Sequence, residues 1–222
     1  MDKLLASNLS NETGGVIYSG DETLAKGKYL FFGLNPGGGK GHSIKEDFKR
    51  KHICLQNAEY NHILDSEWGS HAKGESPYQK RVQTLFEGLG HSPREVCVTN
   101  LIFVQSINED LLKEKGDTWG VANAFWPFHE SLIDIVDPDT IFVIHRKGFD
   151  YLGGKMTERI HNDWHPPWRC GSLIGEMNGR KRLIVYLPHF SGGRPPYAKG
   201  THPVEKNSPE IFDWIKTREG SL

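Results

Sequence analysis

Four short apolar runs alternate with helix-like segments along this chain, and this alternation limits the possible folds more than any other feature. Apolar, β-branched runs bounded by Gly, Pro or polar clusters are typical of buried strands. Strands that alternate with helices are typical of an α/β protein with a largely parallel sheet. The sequence therefore predicts a three-layer α/β/α sandwich around a mainly parallel four-stranded sheet, with strands at residues 29–34, 96–104, 140–144 and 182–187.

The clearest helix signal begins at Ser76. This residue is a favourable N-cap, Pro77 suits the first helical position, and Gly90 is a stop signal. The apolar residues between them recur at the spacing of one helix face. Further helices are predicted at residues 119–136 and 208–216, with a weaker pattern at 147–160 and a short helix around 43–52.

Three polar segments lack a clear periodicity. Residues 1–26 are a polar lead-in that contains a short edge strand or an extended stretch, and residues 161–180 are predicted to be a loop. Residues 38–75 form a long stretch rich in Gly, His, Lys, Asn and Glu, and such segments inside a compact domain commonly shape a site. Neither a repeat nor a linker divides the sequence, so residues 1–222 are predicted to form one domain.

The composition is that of an ordinary globular protein. Hydrophobic residues make up 36%, charged residues 25%, and the net charge is −1. No apolar stretch approaches the ~18 residues that a membrane span needs, and the three scattered cysteines do not suggest a disulfide framework. We expect a cytoplasmic monomer without a membrane partner. A near-neutral total neither indicates nor excludes nucleic acid, since a basic groove can be balanced elsewhere.

Two common kinds of ligand site are poorly supported. The glycines after residue 36 match neither the phosphate-binding P-loop nor the dinucleotide fingerprint, because the required spacings fail at Lys40 and His42. His161, His165 and Cys170 are residue types that zinc accepts. Two prolines between them argue against one helix face, and a fourth ligand is not evident, so no metal site is predicted.

Polar side chains at the ends of predicted strands are a stronger indication of a site. Asn35 follows the first strand, Asn100 lies in the second, and His189 follows the fourth. Ligands of open α/β sheets bind beyond the carboxyl ends of the strands. Asn before Pro is common in turns, and a single His is commonly structural, but three such residues at one sheet edge favour a functional site.

These residues lie in motifs that resemble those of the uracil-DNA glycosylase superfamily. Residues 33–37, Gly-Leu-Asn-Pro-Gly, resemble its first motif, and residues 188–191, Pro-His-Phe-Ser, resemble its second, which usually reads His-Pro-Ser. A helix and then a strand carrying Asn100 occur between them in the expected order. The Gly-x-Asn-Pro-Gly form is most similar to the mismatch-specific and single-strand-selective monofunctional branches. Ala-Lys-Gly at 198–200 lies at the distance from the second motif that resembles the single-strand-selective branch.

The resemblance implies a DNA glycosylase that flips a base out of the stack and hydrolyses its N-glycosidic bond without a cofactor. Asn35 would orient the attacking water, and His189 would stabilise the departing base. Asn100 would read the base through its amide, and Phe48 would stack on the ring. Further substrate contacts implied by the motifs are Gly33, Leu34, Pro36, Gly37 and Ser191.

The segment after the second motif would contact DNA. Arg194 follows two glycines and precedes two prolines, which suits a tip that fills the gap left by a flipped base. Tyr197 is the aromatic alternative for the same role, and Lys199 would contact phosphate. The implied partner is single- or double-stranded DNA.

Two departures from the family pattern affect the expected substrate. Phe190 replaces the Pro that usually follows the motif His, and residues 38–75 lack the usual Pro-Phe-Gly continuation. Gly37 stands where some families use Tyr to exclude a C5 substituent, so uracil and 5-substituted pyrimidines are both candidates. An anti-phage glycosylase acting on hypermodified pyrimidines is one alternative, and a non-catalytic nucleic-acid-binding protein of the same fold is another.

Overall fold

A computed structural model describes residues 8–37, 41–50, 59–106, 109–113, 117–190, 202–205 and 209–222. The predicted α/β class is confirmed, with one correction: the central sheet has six strands rather than four. The strands are β1 (Tyr29–Gly33), β2 (Cys97–Asn100), β3 (Thr140–Val143), β4 (Arg159–His165), β5 (Cys170–Met177) and β6 (Arg180–Tyr186). The helices are α1 (Ile44–Phe48), α2 (His62–Asp65), α3 (Pro77–Gly88), α4 (Glu109–Lys113), α5 (Thr118–Val136), α6 (Arg146–Gly154) and α7 (Pro209–Glu219).

The strand order is β2-β1-β3-β6-β5-β4. The first four strands of that order are parallel, and β5 and β4 extend the sheet in antiparallel fashion. The expected loop at 161–180 is therefore wrong, because β4 and β5 occupy most of it. Strand β4 is an exposed edge strand of mainly polar residues, so it lacks the apolar pattern by which a buried strand is recognised.

Two other boundaries differ from the sequence prediction. The helix expected over 147–160 is α6, which ends at Gly154, because the chain then leaves the helix to enter β4. The strand expected over 96–104 ends at Asn100. Beyond it the chain stays extended beside the loop after β1, with the Leu101 amide donating to Gly33 O (3.0 Å) and the Ile102 amide to Leu34 O (2.9 Å).

Both faces of the sheet are covered, which gives the three layers. Along β1, Leu30 and Phe32 belong to one buried cluster, and Tyr29 and Phe31 belong to the other. The first cluster includes residues of α1, α4, α5 and α6, and the second includes residues of α2, α3 and α7. In the part of the chain that the structure describes, no helix combines the length and apolar character needed to cross a bilayer.

A histidine lies within the first cluster, away from the sheet edge. His129 on α5 is fully buried, and its Nε2 donates to the Leu101 carbonyl at 3.0 Å. The rings of Phe32 and Phe103 lie 5.1 Å from it, centroid to centroid. Burial lowers the pKa of His129 to about 4, so this residue is neutral near pH 7 and supports the backbone next to Asn100.

Candidate active site

A cavity of about 720 Å³ opens at the carboxyl ends of the parallel strands. Asn35 after β1, Asn100 at the end of β2 and His189 after β6 all lie on its wall. Gly33, Leu34, Pro36 and Gly37 line it as well. The structure therefore brings together the polar strand ends that the sequence singled out, because parallel strands present their carboxyl ends at one edge of the sheet.

The Asn35 side chain is held in one orientation by two backbone carbonyls. Its Nδ2 donates to Pro36 O at 2.9 Å and to Ser106 O at 3.0 Å. Since both amide hydrogens are used in this way, the Oδ1 atom is the acceptor that Asn35 presents. A fixed acceptor at a cavity wall can orient a water molecule or a hydroxyl group.

Gly33 makes room for the Asn100 side chain. The two residues are neighbours in the β1–β2 register, and Asn100 is only 7% exposed. A Cβ added at Gly33 would lie 2.1 Å from Asn100 Oδ1 and 3.3 Å from the Tyr78 hydroxyl oxygen. The missing side chain of Gly33 therefore allows the Asn100 amide to lie across the end of β1, with the Tyr78 hydroxyl close by.

Phe190 anchors the loop that carries His189. Its ring is 0% exposed and packs against Phe31 (5.7 Å between centroids), Tyr78 (6.1 Å) and His202 (5.1 Å). The Phe190 carbonyl accepts a hydrogen bond from the buried Arg81 guanidinium at 2.6 Å. The residue that departs from the family motif is thus a core side chain, which fixes the backbone next to an exposed His189 on the cavity wall.

A second histidine supports the same loop from below. The Val204 amide donates to His202 Nδ1 at 3.2 Å, so Nε2 carries the proton and donates to the Pro188 carbonyl at 3.1 Å. Burial is the largest cause that lowers the pKa of His202 to about 4. His202 is therefore a neutral structural group, and both flanks of His189 are hydrogen bonded through their carbonyls.

Gly37 faces open space beside the cavity. No described atom lies within 4 Å of the position that its Cβ would occupy. The loop around it is tied to the chain after β2, with the Ser106 amide donating to Pro36 O (2.9 Å) and Gln105 Nε2 donating to Gly37 O (2.9 Å). The Gly37 position can thus accept either a larger side chain or a larger ligand.

Phe48 is not where the sequence prediction requires it. Its side chain is 2% exposed, packs edge-on against Phe128 at 6.4 Å, and is not among the residues that line the cavity. Helix α1 starts with a capping box at Ser43, and this start turns Ile44 and Phe48, four residues apart, towards the core. Stacking of Phe48 on a base is therefore incorrect for this structure.

Five other residues with rings line the cavity and were not predicted from the sequence: Tyr18, His42, His62, Trp68 and Tyr78. Trp68 and Tyr78 lie side by side, with centroids 5.3 Å apart, and Tyr18 lies 5.4 Å from His62. Burial raises the pKa of both tyrosines well above the usual range, and the Asp47 charge adds to the effect at Tyr18. Both phenols are therefore protonated at neutral pH.

A hydrogen-bond chain orients His62. The Tyr60 hydroxyl donates to Asp65 O (2.8 Å), and the Ser66 hydroxyl donates to the Tyr60 oxygen (3.1 Å). The Ser66 oxygen must therefore accept from His62 Nδ1, 2.7 Å away, so Nδ1 carries a proton. The sequence carries no signal for this hydrogen-bond network beyond the polar character of residues 38–75. Eight residues of that segment line the cavity: Gly41, His42, Asp47, His62, Ile63, Glu67, Trp68 and Gly69.

The charged groups of the cavity wall are acidic. Among the described residues that line it, Asp47 and Glu67 are the carboxylates, and neither Lys nor Arg occurs. A phosphate group would be poorly accommodated inside such a wall, whereas a neutral ring with polar edges would be accepted. Aromatic rings, amides and histidines are suitable partners for a ligand of that kind.

The remaining sequence predictions concern other parts of the chain. Ser191, Arg194, Tyr197 and Lys199 lie outside the described residues. His161 and His165 lie four residues apart on β4, about 13 Å by strand geometry, and the Cys170 thiol donates to Trp168 O. Within the described ranges, no group of three His, Cys, Asp or Glu side chains is placed to hold a metal ion.

Comparison with models of known protein families finds no match for this chain. A search of curated proteins also finds none that is significantly similar.

Proposed function

We propose that this protein is a monofunctional DNA glycosylase that removes uracil or a 5-substituted pyrimidine by hydrolysis of the N-glycosidic bond. The observation that carries the proposal is the Asn35 amide, which two carbonyls orient beside Asn100 and His189 on one cavity. The motif resemblance assigns Asn35 to the attacking water, Asn100 to recognition of the base and His189 to the leaving group. The acidic wall without described cations fits a flipped base whose phosphates stay outside.

Asn35 acts on the water in this mechanism. Its Oδ1 accepts a hydrogen bond from a water molecule placed below the sugar, and the water attacks C1′ as the bond to the base breaks. A neutral amide is a weak base, so the bond to the base is largely broken before the proton leaves the water. The bonding pair stays on the base, which departs as an anion, and the proton of the water passes to solvent. The sugar then carries positive charge, which the carboxylate of Asp47 on the same wall stabilises electrostatically.

His189 and Asn100 act on the base. His189 donates to the pyrimidine O2 as negative charge develops there. The Asn100 amide offers a donor and an acceptor in one plane, which matches O4 and N3–H of uracil. Trp68 and Tyr78 take the stacking role expected of Phe48, since their rings line the cavity beside Asn100.

Gly37 supports a substrate with a substituent at C5. No described atom lies within 4 Å of the position that a Cβ would take at this residue, so a hydroxymethyl group placed there meets none of the described residues. We therefore include 5-substituted and hypermodified pyrimidines in the proposal, and with them a role in defence against phage DNA. The buried free thiols of Cys97 and Cys170 suit a reducing compartment, and we propose a cytoplasmic location.

The test is base release from synthetic oligonucleotides. Single- and double-stranded 25-mers with one uracil, 5-hydroxymethyluracil or modified cytosine are incubated with protein and treated with alkali, which breaks the strand at abasic sites. We expect breaks at one of these bases and a loss of about 10²- to 10³-fold on His189→Ala. Asn35→Ala should lower the chemical step while leaving DNA binding nearly unchanged.

Absence of breaks at every base would overturn the proposal. If the protein then still bound DNA, it would be the non-catalytic member of the fold. Wild-type activity in both Asn35→Ala and His189→Ala would place the reaction elsewhere in the molecule. Lys28→Ala is a suitable matched control, because Lys28 pairs with Glu219 at 2.7 Å and precedes β1 at the opposite end of the sheet.

A further inference from the structure

An exposed aromatic and cationic surface lies on the sheet beyond the cavity, and the proposed function does not use it. Trp164 on β4 is 40% exposed and stacks on Tyr186 of β6, with centroids 6.0 Å apart and planes 13° apart. The Arg146 guanidinium lies 4.6 Å from the Trp164 ring centroid and 5.9 Å from that of Tyr186. We call Trp164, Tyr186 and Arg146 the stacking platform.

Gly171 makes the platform possible. It lies between the two rings in the sheet, opposite Trp164 on one side and Tyr186 on the other. A Cβ at Gly171 would be only 3.1 Å from Trp164 Cε3, so the absence of a side chain lets the indole lie flat across β5. The result is a broad ring surface that remains partly open to solvent. A Trp on a polar edge strand without a second ring beside it would be less favourable.

The charge of the platform is positive. Arg146 and Arg169 both lie close enough to lower the pKa of Tyr186 against the larger effect of burial. The acidic neighbour of Arg146 is Asp150, with 3.6 Å between Nε and Oδ2, and both side chains are more than half exposed. Exposed pairs of this kind are weak, so the guanidinium remains available to an anion. The cavity wall, in contrast, is acidic among its described residues.

The platform adjoins the cavity at the same edge of the sheet. Tyr186 ends β6 three residues before His189, and Arg146 begins α6 two residues after Ile144, which lines the cavity. Strand β1, which leads to Asn35, and strand β4, which carries Trp164, are four sheet positions apart, which corresponds to about 19 Å. At the 3.4 Å rise per nucleotide of a DNA strand, this is a separation of about six nucleotides.

We propose that the stacking platform binds the DNA strand about six nucleotides from the base in the cavity. A base of that flanking segment packs against the exposed part of the Trp164 indole, and Arg146, which lies over the same ring, contacts its phosphate. This inference rests on the proposed function for the identity of the ligand, and it adds a second binding site on the same strand. Stacking on an aromatic ring is independent of base identity, so the platform contributes affinity rather than sequence preference.

The test is binding of a fluorescein-labelled single-stranded 15-mer of ordinary bases, measured by fluorescence anisotropy at several salt concentrations. We expect Trp164→Ala to raise Kd by about 5- to 150-fold, the range found for a base stacked on an aromatic residue. Trp164→Phe should retain most of the affinity. Arg146→Gln should lower the slope of log Kd against log salt by about 0.7.

Ile160→Ala is the matched control. Ile160 is 62% exposed on the same strand as Trp164 and is not part of the platform, so its removal should leave Kd unchanged. Equal values of Kd for Trp164→Ala and Ile160→Ala would overturn the inference, as would failure of the wild-type protein to bind the 15-mer. Melting temperatures of all variants exclude a loss of folded protein. If Trp164→Ala unfolds, Arg146→Gln keeps the test valid, because an unchanged salt slope for this variant would also overturn the inference.

The two proposals fail in distinguishable ways. If Trp164→Ala weakens binding but no modified base is ever released, the platform is retained and the glycosylase function is wrong. If bases are released and Trp164→Ala behaves like Ile160→Ala, the function is retained and the platform is wrong. Oligonucleotides with the target base at successive distances from one end add a further check. The effect of Trp164→Ala on base release should appear only when about six nucleotides flank the target on one side.

Discussion

Phe190→Ala tests whether Phe190, which stands where the resembled motif has Pro, stabilises the fold. The side chain is 0% exposed and packs against three rings, those of Phe31, Tyr78 and His202. Truncation of a buried Phe to Ala costs about 3–5 kcal/mol when the cavity cannot collapse. A domain of this size loses roughly 2–4 °C in melting temperature for each kcal/mol, so we expect a decrease of about 6–20 °C.

Thermal unfolding followed by circular dichroism measures this change. Phe190→Pro restores the usual motif residue but removes the same ring, and we expect it to be destabilised to a similar extent. Phe190→Leu fills part of the space and should lose less. Ile160→Ala, at an exposed position, is the control and should shift the melting temperature little. A melting temperature of Phe190→Ala within about 2 °C of that control, the smallest shift expected per kcal/mol, would show that the ring does not anchor the loop.

Three further predictions concern other residues of the site and core. Gly33→Ala should displace the Asn100 amide, because its Oδ1 would lie 2.1 Å from the new Cβ. We expect kcat/KM to fall by about ten-fold for each hydrogen bond lost to the base. An unchanged kcat/KM would refute base reading by Asn100. Gly37→Tyr should fill open space, retaining activity on uracil while abolishing it on 5-substituted bases, and equal losses on both in the alkali assay would contradict this. The pKa of His129 and of His202 is about 4 in the folded protein and about 6.5 when unfolded. The unfolded chain therefore binds more protons between these values, and the free energy of unfolding should fall by up to about 3 kcal/mol per histidine as pH decreases from 6.5 to 4. Urea titrations at several pH values should show a smaller decrease in the free energy of unfolding for His129→Phe than for the wild-type protein. An identical pH dependence in the two proteins would refute the lowered pKa of His129.

The parts of the fold that the sequence predicts are those with a repeating physical pattern. Strands β1 and β3 are buried along their whole length and β6 is buried over residues 182–185, so each contains a continuous apolar run. Helix α3 was predicted from Ser76 and Pro77, and the structure confirms Ser76 as its N-cap, with Gln79 completing a capping box. Strand β4 has no such pattern, because it lies at the edge of the sheet and exposes most of its residues.

The candidate site also contains residues that the sequence predicts and residues that it does not. Asn35, Asn100 and His189 were predictable because parallel strands bring their carboxyl ends to one edge. Tyr18 and His62 reach the cavity from the lead-in and from α2, and no periodic pattern places a loop residue relative to a sheet. The error at Phe48 has a related origin. A motif position predicts an approximate place along the chain, whereas the capping box at the start of α1 decides which way the ring turns.

In the function proposed above, the cavity and the stacking platform meet two separate requirements of base excision. Inside the cavity, orientation comes from short contacts to backbone carbonyls, those of Asn35 Nδ2 and His202 Nε2, together with packing of Phe190. These contacts are buried or partly buried, and salt affects them little. The cation of Arg146 lies outside the cavity, at the place proposed for the phosphates, where salt screens it. Because ions weaken only the outer contacts, salt should raise KM for DNA far more than it lowers kcat. A site that relied on cations within the cavity would lose both together.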